Sequence, residues 1–122
     1  LRRRLPDILA ANARDMARIG QLLLQKGQWQ GKALLPADFV RRMTSPGPKV
    51  SYYGYGLWMD PDHKPAFYYL QGHLGQYVIV VPERELVIVR LGQTRIKSNN
   101  QHPHIYDEVY RYLDAGLRIA TP

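Results

Sequence analysis

The stretch FYYLQGHLGQYVIVVPERELVIVRLG, residues 67–92, decides how this chain folds. Its apolar runs are short, rich in Val, Ile and aromatic residues, and separated by glycine, proline and charged residues. That pattern predicts a meander: a strand over 66–70, a glycine-bounded turn over 71–75, a strand over 76–81, a turn at Pro82-Glu83-Arg84-Glu85 and a third strand over 86–91. In the second and third strands apolar residues run almost without interruption, so both faces of the sheet need cover. Helices on either side of the meander in sequence can supply it.

Working outward, residues 12–26 read as the N-terminal helix. Asn12 suits the N-cap, Asp15 places a carboxylate in the first turn, and Met16, Ile19 and Leu23 recur at helical spacing. Gly27 is the expected stop. Residues 28–35 read as a connector turning at Gly31, and Pro36 opens a short helix through about Met43, ended by Ser45-Pro46-Gly47-Pro48. Residues 52–59, with three tyrosines and Trp58 among Gly54 and Gly56, read as an irregular strand. Residues 60–65 form a turn-rich loop and 92–103 a polar one. The last helix spans about 105–117, with Ile105, Val109, Tyr112, Leu113 and Leu117 on one stripe. The fold class is therefore α/β of the α+β type: an antiparallel sheet of three or more strands packed by N- and C-terminal helices.

Composition narrows the function classes. With 122 residues, 45% of them hydrophobic and 22% charged, the chain is one domain or a piece of one. It opens at Leu1 instead of Met, which suggests a fragment, with residues 1–12 an uncertain lead-in and 13–122 the body. It has no cysteine, so disulfides and thiolate metal sites are excluded. The longest apolar run, Val78 to Val81, is too short to span a bilayer. A net charge of +7 would suit an anionic partner, but apart from Arg2-Arg3-Arg4 and Arg41-Arg42 the cations are dispersed, and no nucleic-acid partner is expected. His63, His102 and His104 offer no clear ligand set for a metal. Glu83 and Glu85 sit at a hairpin tip, not as a catalytic pair.

Three strings carry a family resemblance: ARDMARIGQLLLQKGQWQGKALLP, YGYGLWM and the 67–92 stretch itself. In this order and at this spacing, over about residues 12–119, the chain resembles the C-terminal part of β-lactamase-related serine hydrolases, the group that includes class C β-lactamases, penicillin-binding proteins and D-alanyl-D-alanine carboxypeptidases. The resemblance implies a fragment of the β-lactamase/transpeptidase-like fold. It also implies acyl transfer on a β-lactam, a peptidoglycan peptide, an ester or a short amide, without a cofactor, in a bacterial protein of the periplasm or exterior. In that family a Ser-x-x-Lys turn provides the nucleophile, a Tyr-x-Asn loop moves the proton, and a Lys/His-x-Gly strand completes the pocket and its oxyanion site.

The first two motifs are missing from the sequence. Ser45, Ser51 and Ser98 lack a lysine three residues on, and no tyrosine has an asparagine two places later. Thr94-Arg95-Ile96-Lys97 has the spacing but the wrong hydroxyl, after a strand. The third motif has two registers: His73-Leu74-Gly75, or, aligning Gly75-Gln76-Tyr77 with the start of the next family strand, Phe67-Tyr68-Tyr69. Under either, Tyr69, Leu70, Gly72, His73 and Gly75 form a substrate-binding wall, with the backbone of Tyr69 and Leu70 beside the cleft. His73 either orients substrate or is a structural hydrogen-bonder of the turn. Tyr52, Tyr53, Tyr55 and Trp58 either line a groove or pack a strand. Arg14 and Asp15 are expected to be structural. The nucleophile would come from an N-terminal segment of the same protein, covalent or docked, so this chain alone is expected to be inactive. The alternatives are a basic module for an anionic partner, or a non-catalytic pseudoenzyme fragment. A two-sided apolar sheet with an open edge also predicts oligomers.

Overall fold

The computed structural model describes residues 12–47, 52–53, 56–72, 76–92 and 105–120. Helix α1, Ala13–Leu24, begins where Asn12 accepts a 2.9 Å hydrogen bond from the Asp15 N–H, satisfying one of the donors that a helix start leaves open. The helix stops two residues earlier than expected, at Leu24. Lys26, not Gly27, first takes the left-handed conformation, with φ 59°, and the Gly27 N–H then returns to the Leu22 carbonyl at 2.9 Å. Asp15 pairs with Arg18, one turn along, at 3.0 Å.

The connector over 28–35 proves to be a miniature hairpin of β1, Gln28–Trp29, and β2, Lys32–Ala33. Gln30 and Gly31 have φ of 51° and 80°, and two consecutive left-handed residues suit the turn that joins two-residue hairpins. Helix α2, Ala37–Met43, follows Pro36 as expected, with Pro36 at the N-cap. The irregular strand expected over 52–59 is shorter and later: β3 is Trp58–Asp60, and Tyr53 contributes only an isolated bridge to Trp58. Asp60, expected in the loop, closes the strand opposite Phe67.

The meander is present. Strands β4, Phe67–Gly72, β5, Gln76–Val81, and β6, Leu86–Arg90, form one antiparallel sheet in the order β3-β4-β5-β6. Strand β4 runs into the expected turn, because Gln71 and Gly72 still pair with Tyr77 and Gln76. A single 3-10 turn, Pro82–Arg84, joins β5 to β6 and ends at Glu85 in the left-handed conformation. Helix α3, Asp107–Ala120, starts two residues later and runs three further than the apolar stripe indicated. Ile105 is nonetheless buried, as part of the chain leading into the helix.

Each face of the sheet has its own core. On one, Tyr68 and Val80 pack with Leu23 of α1 and Val40 of α2. On the other, Phe67, Tyr69, Tyr77, Ile79 and Val81 pack against Ile105, Val109 and Leu113. Strand alternation sorts these side chains, since Tyr68 lies opposite Val80 and Tyr69 opposite Ile79. A glycine in each helix permits its close approach. A Cβ at Gly20 would lie 2.6 Å from a Val87 methyl and 2.9 Å from one of Val78, and a Cβ at Gly116 would collide with Ile88. Two helices thus clamp opposite faces of β5 and β6, the cover that uninterrupted apolar strands require.

Candidate functional site

Of the five wall residues the structure describes three, Tyr69, Leu70 and Gly72, all on β4. Tyr69 is fully buried, its ring edge-on to Tyr77 at 6.0 Å and stacked on Phe67 at 6.1 Å. Its side chain is therefore core, and only its backbone is available to a cleft. Leu70 points to the opposite face, half-buried on the α1 core. Gly72 is exposed at the end of β4, opposite Gln76. His73, Leu74 and Gly75, the first register of the third motif, lie outside the described residues. The second register, Phe67-Tyr68-Tyr69, opens β4, paired with β3 through Asp60, Met59 and Trp58 and, from Tyr68 on, with β5 through Val80 and Ile79.

The edge of β4 changes character along its length. The ladder from β3 reaches only as far as the Trp58–Tyr69 pair, whereas β4 continues beside β5 to Gly72. On the β3 side, Leu70 and Gln71 have no strand partner among the described residues. The Gln71 side-chain oxygen is also buried without a hydrogen-bond partner among them. The sequence reading passed over Gln71 because it was placed in a turn. Its position between Leu70 and Gly72 in a strand was the signal that could have found it.

Aromatic rings gather beside this edge. Trp58, in register with Tyr69, stacks on Tyr52 at 6.0 Å with an 11° interplanar angle, and Tyr53 meets it edge-on at 4.7 Å. Tyr53 is exposed. Tyr55 lies outside the described residues. The aromatic group is both a packed strand end and a partly open surface next to the wall.

The remaining polar groups of this half of the molecule hold α3 on the sheet. Tyr77 donates a 2.7 Å hydrogen bond to buried Glu108, and Tyr110 donates one of 2.7 Å to Asp60. Burial, reinforced by the neighbouring Asp60 carboxylate, raises the Tyr110 hydroxyl well above the usual phenol range. The His63 ring sits on Phe67 and Tyr110, and its Nδ1 lies 2.9 Å from the Pro65 carbonyl oxygen. That histidine is a packing residue. His102 and His104 are outside the described residues, and no cluster of three or more potential metal ligands occurs among those described.

The hydroxyls and cations were also read from sequence. The Ser45 hydroxyl donates to the Arg41 carbonyl at 2.6 Å, closing the end of α2. Ser51, Ser98 and Thr94 to Lys97 lie outside the described residues. Arg41 and Arg42 share the exposed Asp38 carboxylate, which their hydrogen bonds hold below its usual range, and Arg90 lies 5.5 Å over the Tyr112 ring. Arg18, Arg41, Arg42 and Arg90 are thus engaged locally. No described helix is long and apolar enough to cross a membrane.

Comparison with known proteins agrees with this architecture. A solved structure from Bacillus anthracis, named as a 6-aminohexanoate-dimer hydrolase, superposes with a TM-score of 0.64 at 28% identity over 90% of this chain. The chain spans only 28% of that protein's length. No curated protein matches. The sequence profile described as Beta-lactamase matches residues 3–110, most of the chain. With its helix-clamped antiparallel sheet, this chain belongs to the Beta-lactamase family.

Proposed function

We propose that residues 13–122 form the C-terminal portion of a serine hydrolase that acts by acyl transfer, and that they provide one wall of its cleft. The observation that carries this reading is the edge of β4, where the β3 ladder ends at Tyr69 and the strand continues past Leu70 and Gln71 to exposed Gly72. Backbone N–H groups at such an edge suit an oxyanion site, because they are fixed by the sheet before any charge develops on the substrate. The same edge favours the His73-Leu74-Gly75 register over Phe67-Tyr68-Tyr69, where β3 already occupies that side of the strand. In this reading His73 stands at the mouth of the wall and orients a substrate group. The buried Gln71 oxygen is an added candidate to accept an N–H from substrate or from the adjoining polypeptide.

The substrates are amide or ester acyl compounds. The relative from Bacillus anthracis, named for hydrolysis of a 6-aminohexanoate dimer, favours an amide among β-lactam, peptidoglycan peptide and ester. The nucleophile and its lysine belong to polypeptide preceding this chain, which either continues into it or docks on it. An oxyanion donor without a nucleophile has no covalent step to stabilise, so the isolated chain is inactive. The test is turnover of nitrocefin and of p-nitrophenyl esters by the isolated 122-residue chain. None is expected. Turnover that persists after replacement of His73 and all three serines would overturn the reading.

A further inference from the structure

The opposite end of the β4–β5 hairpin carries a cavity that the acyl-transfer reading does not use. It lies between the end of α1, helix α2 and Pro82, and has a volume of about 500 Å³. That is within the range of small-molecule sites. Tyr68, which lines it, lies four residues before Gly72 along β4, or roughly 13 Å at the rise of an extended strand. The cavity lies at the other end of β4 from Gly72, on the face that Tyr68 turns toward α1 and α2.

Its lining is apolar except at defined points. Leu23, Leu24, Val40 and Pro82 supply hydrocarbon surface. Tyr68 is only 6% exposed, yet its hydroxyl makes no hydrogen bond to any described residue. Burial pushes this phenol up to about 12, so at neutral pH it remains a hydrogen-bond donor. The hydroxyl is not among the sealed side-chain atoms that lack a partner, so it opens onto the cavity that Tyr68 lines and can donate to what fills it. The charge of the lining is biased one way. Arg41 shares Asp38 with Arg42, while Lys26 forms no ion pair among the described residues.

We propose that this cavity binds a small amphiphilic anion, its hydrocarbon body against Leu23, Leu24, Val40 and Pro82, its carboxylate taken by the Tyr68 hydroxyl with Lys26 supplying the balancing charge. The Tyr68 donor specifies an acceptor, the excess of cations specifies its sign, and the leucine walls specify the rest of the molecule. Lys26 is suited to the role because the left-handed end of α1 fixes its backbone at the cavity.

Titration of the 122-residue chain with sodium octanoate, followed by amide chemical shifts and calorimetry, tests the site. Saturable binding is expected, with shifts centred on the end of α1, α2 and Tyr68. Tyr68→Phe should weaken it about five-fold, the loss of one hydrogen bond to an acceptor. Lys26→Gln, on the surface and harmless to the fold, should remove the preference for octanoate over 1-octanol. Ala37→Trp, at an exposed position of the lining, should block both ligands. Absence of saturable octanoate binding would overturn the proposal, as would equal binding of octanol and octanoate to the unaltered chain.

Discussion

At the scale of single residues, tyrosines connect packing to pH. Tyr68 and Tyr110 both have hydroxyls raised by burial, Tyr68 from an ordinary value of 10.0 to about 12. A folded-state value above the unfolded one means that the fold favours the neutral phenol. This contribution is complete below pH 10 and disappears as pH rises toward about 12, because the unfolded chain ionises first. Spectrophotometric titration should therefore show these phenols ionising later than a phenol in the unfolded chain, with denaturant stability declining above about pH 10. If Tyr68→Phe left the alkaline limb of stability unchanged and all phenols ionised together, the buried placement would be wrong. Residue identity was legible in sequence where a side chain acts on its own neighbours, as Asn12 does in capping α1. It was not legible for Gln30, whose left-handed conformation comes from hairpin closure and not from a turn-favouring side chain.

At the scale of elements, the sheet is held by two helices that approach closely through Gly20 and Gly116. A side chain at Gly20 would have to displace the methyls of Val87 and Val78, and overpacking of this kind costs roughly 1–3 kcal/mol. Gly20→Leu should lower the denaturant midpoint accordingly at unchanged m-value, in spite of leucine's better helix propensity by about 1 kcal/mol. A midpoint that rose would mean that α1 does not rest on β5 and β6. The meander was readable because its short apolar runs are bounded by glycine, proline and charged residues, and both long helices because a period near 3.6 persists over several residues. Strand β3 was not. Only Trp58, Met59 and Asp60 pair, and the aromatic run before them is held by ring stacking on Trp58, which strand propensity does not distinguish from pairing. The end of β4 was misread for a related reason, since Gln71 and Gly72 look like turn residues but are kept in the ladder by Tyr77 and Gln76.

At the scale of the molecule, the family and fold class were legible from three ordered strings, while the site was legible only in outline. The proposed wall lies where one strand outlasts its neighbour, a relation between β3 and β4 that no local pattern encodes. The sheet also ends at β6, which has no further strand beside it among the described residues and is built of Leu86, Val87, Ile88, Val89 and Arg90. An apolar strand at an edge invites pairing with another chain. Sedimentation velocity on the isolated chain should accordingly show oligomers, and a sharp monomer boundary with a cooperative melt would contradict that expectation. The central claim, that a cleft wall is present here and the reactive hydroxyl is elsewhere, is tested most directly by intact-mass analysis after exposure to a fluorescent penicillin and to a fluorophosphonate. The account predicts an unmodified chain with both reagents, whereas a stoichiometric acyl or phosphonyl adduct on Ser45, Ser51, Ser98 or Thr94 would contradict it.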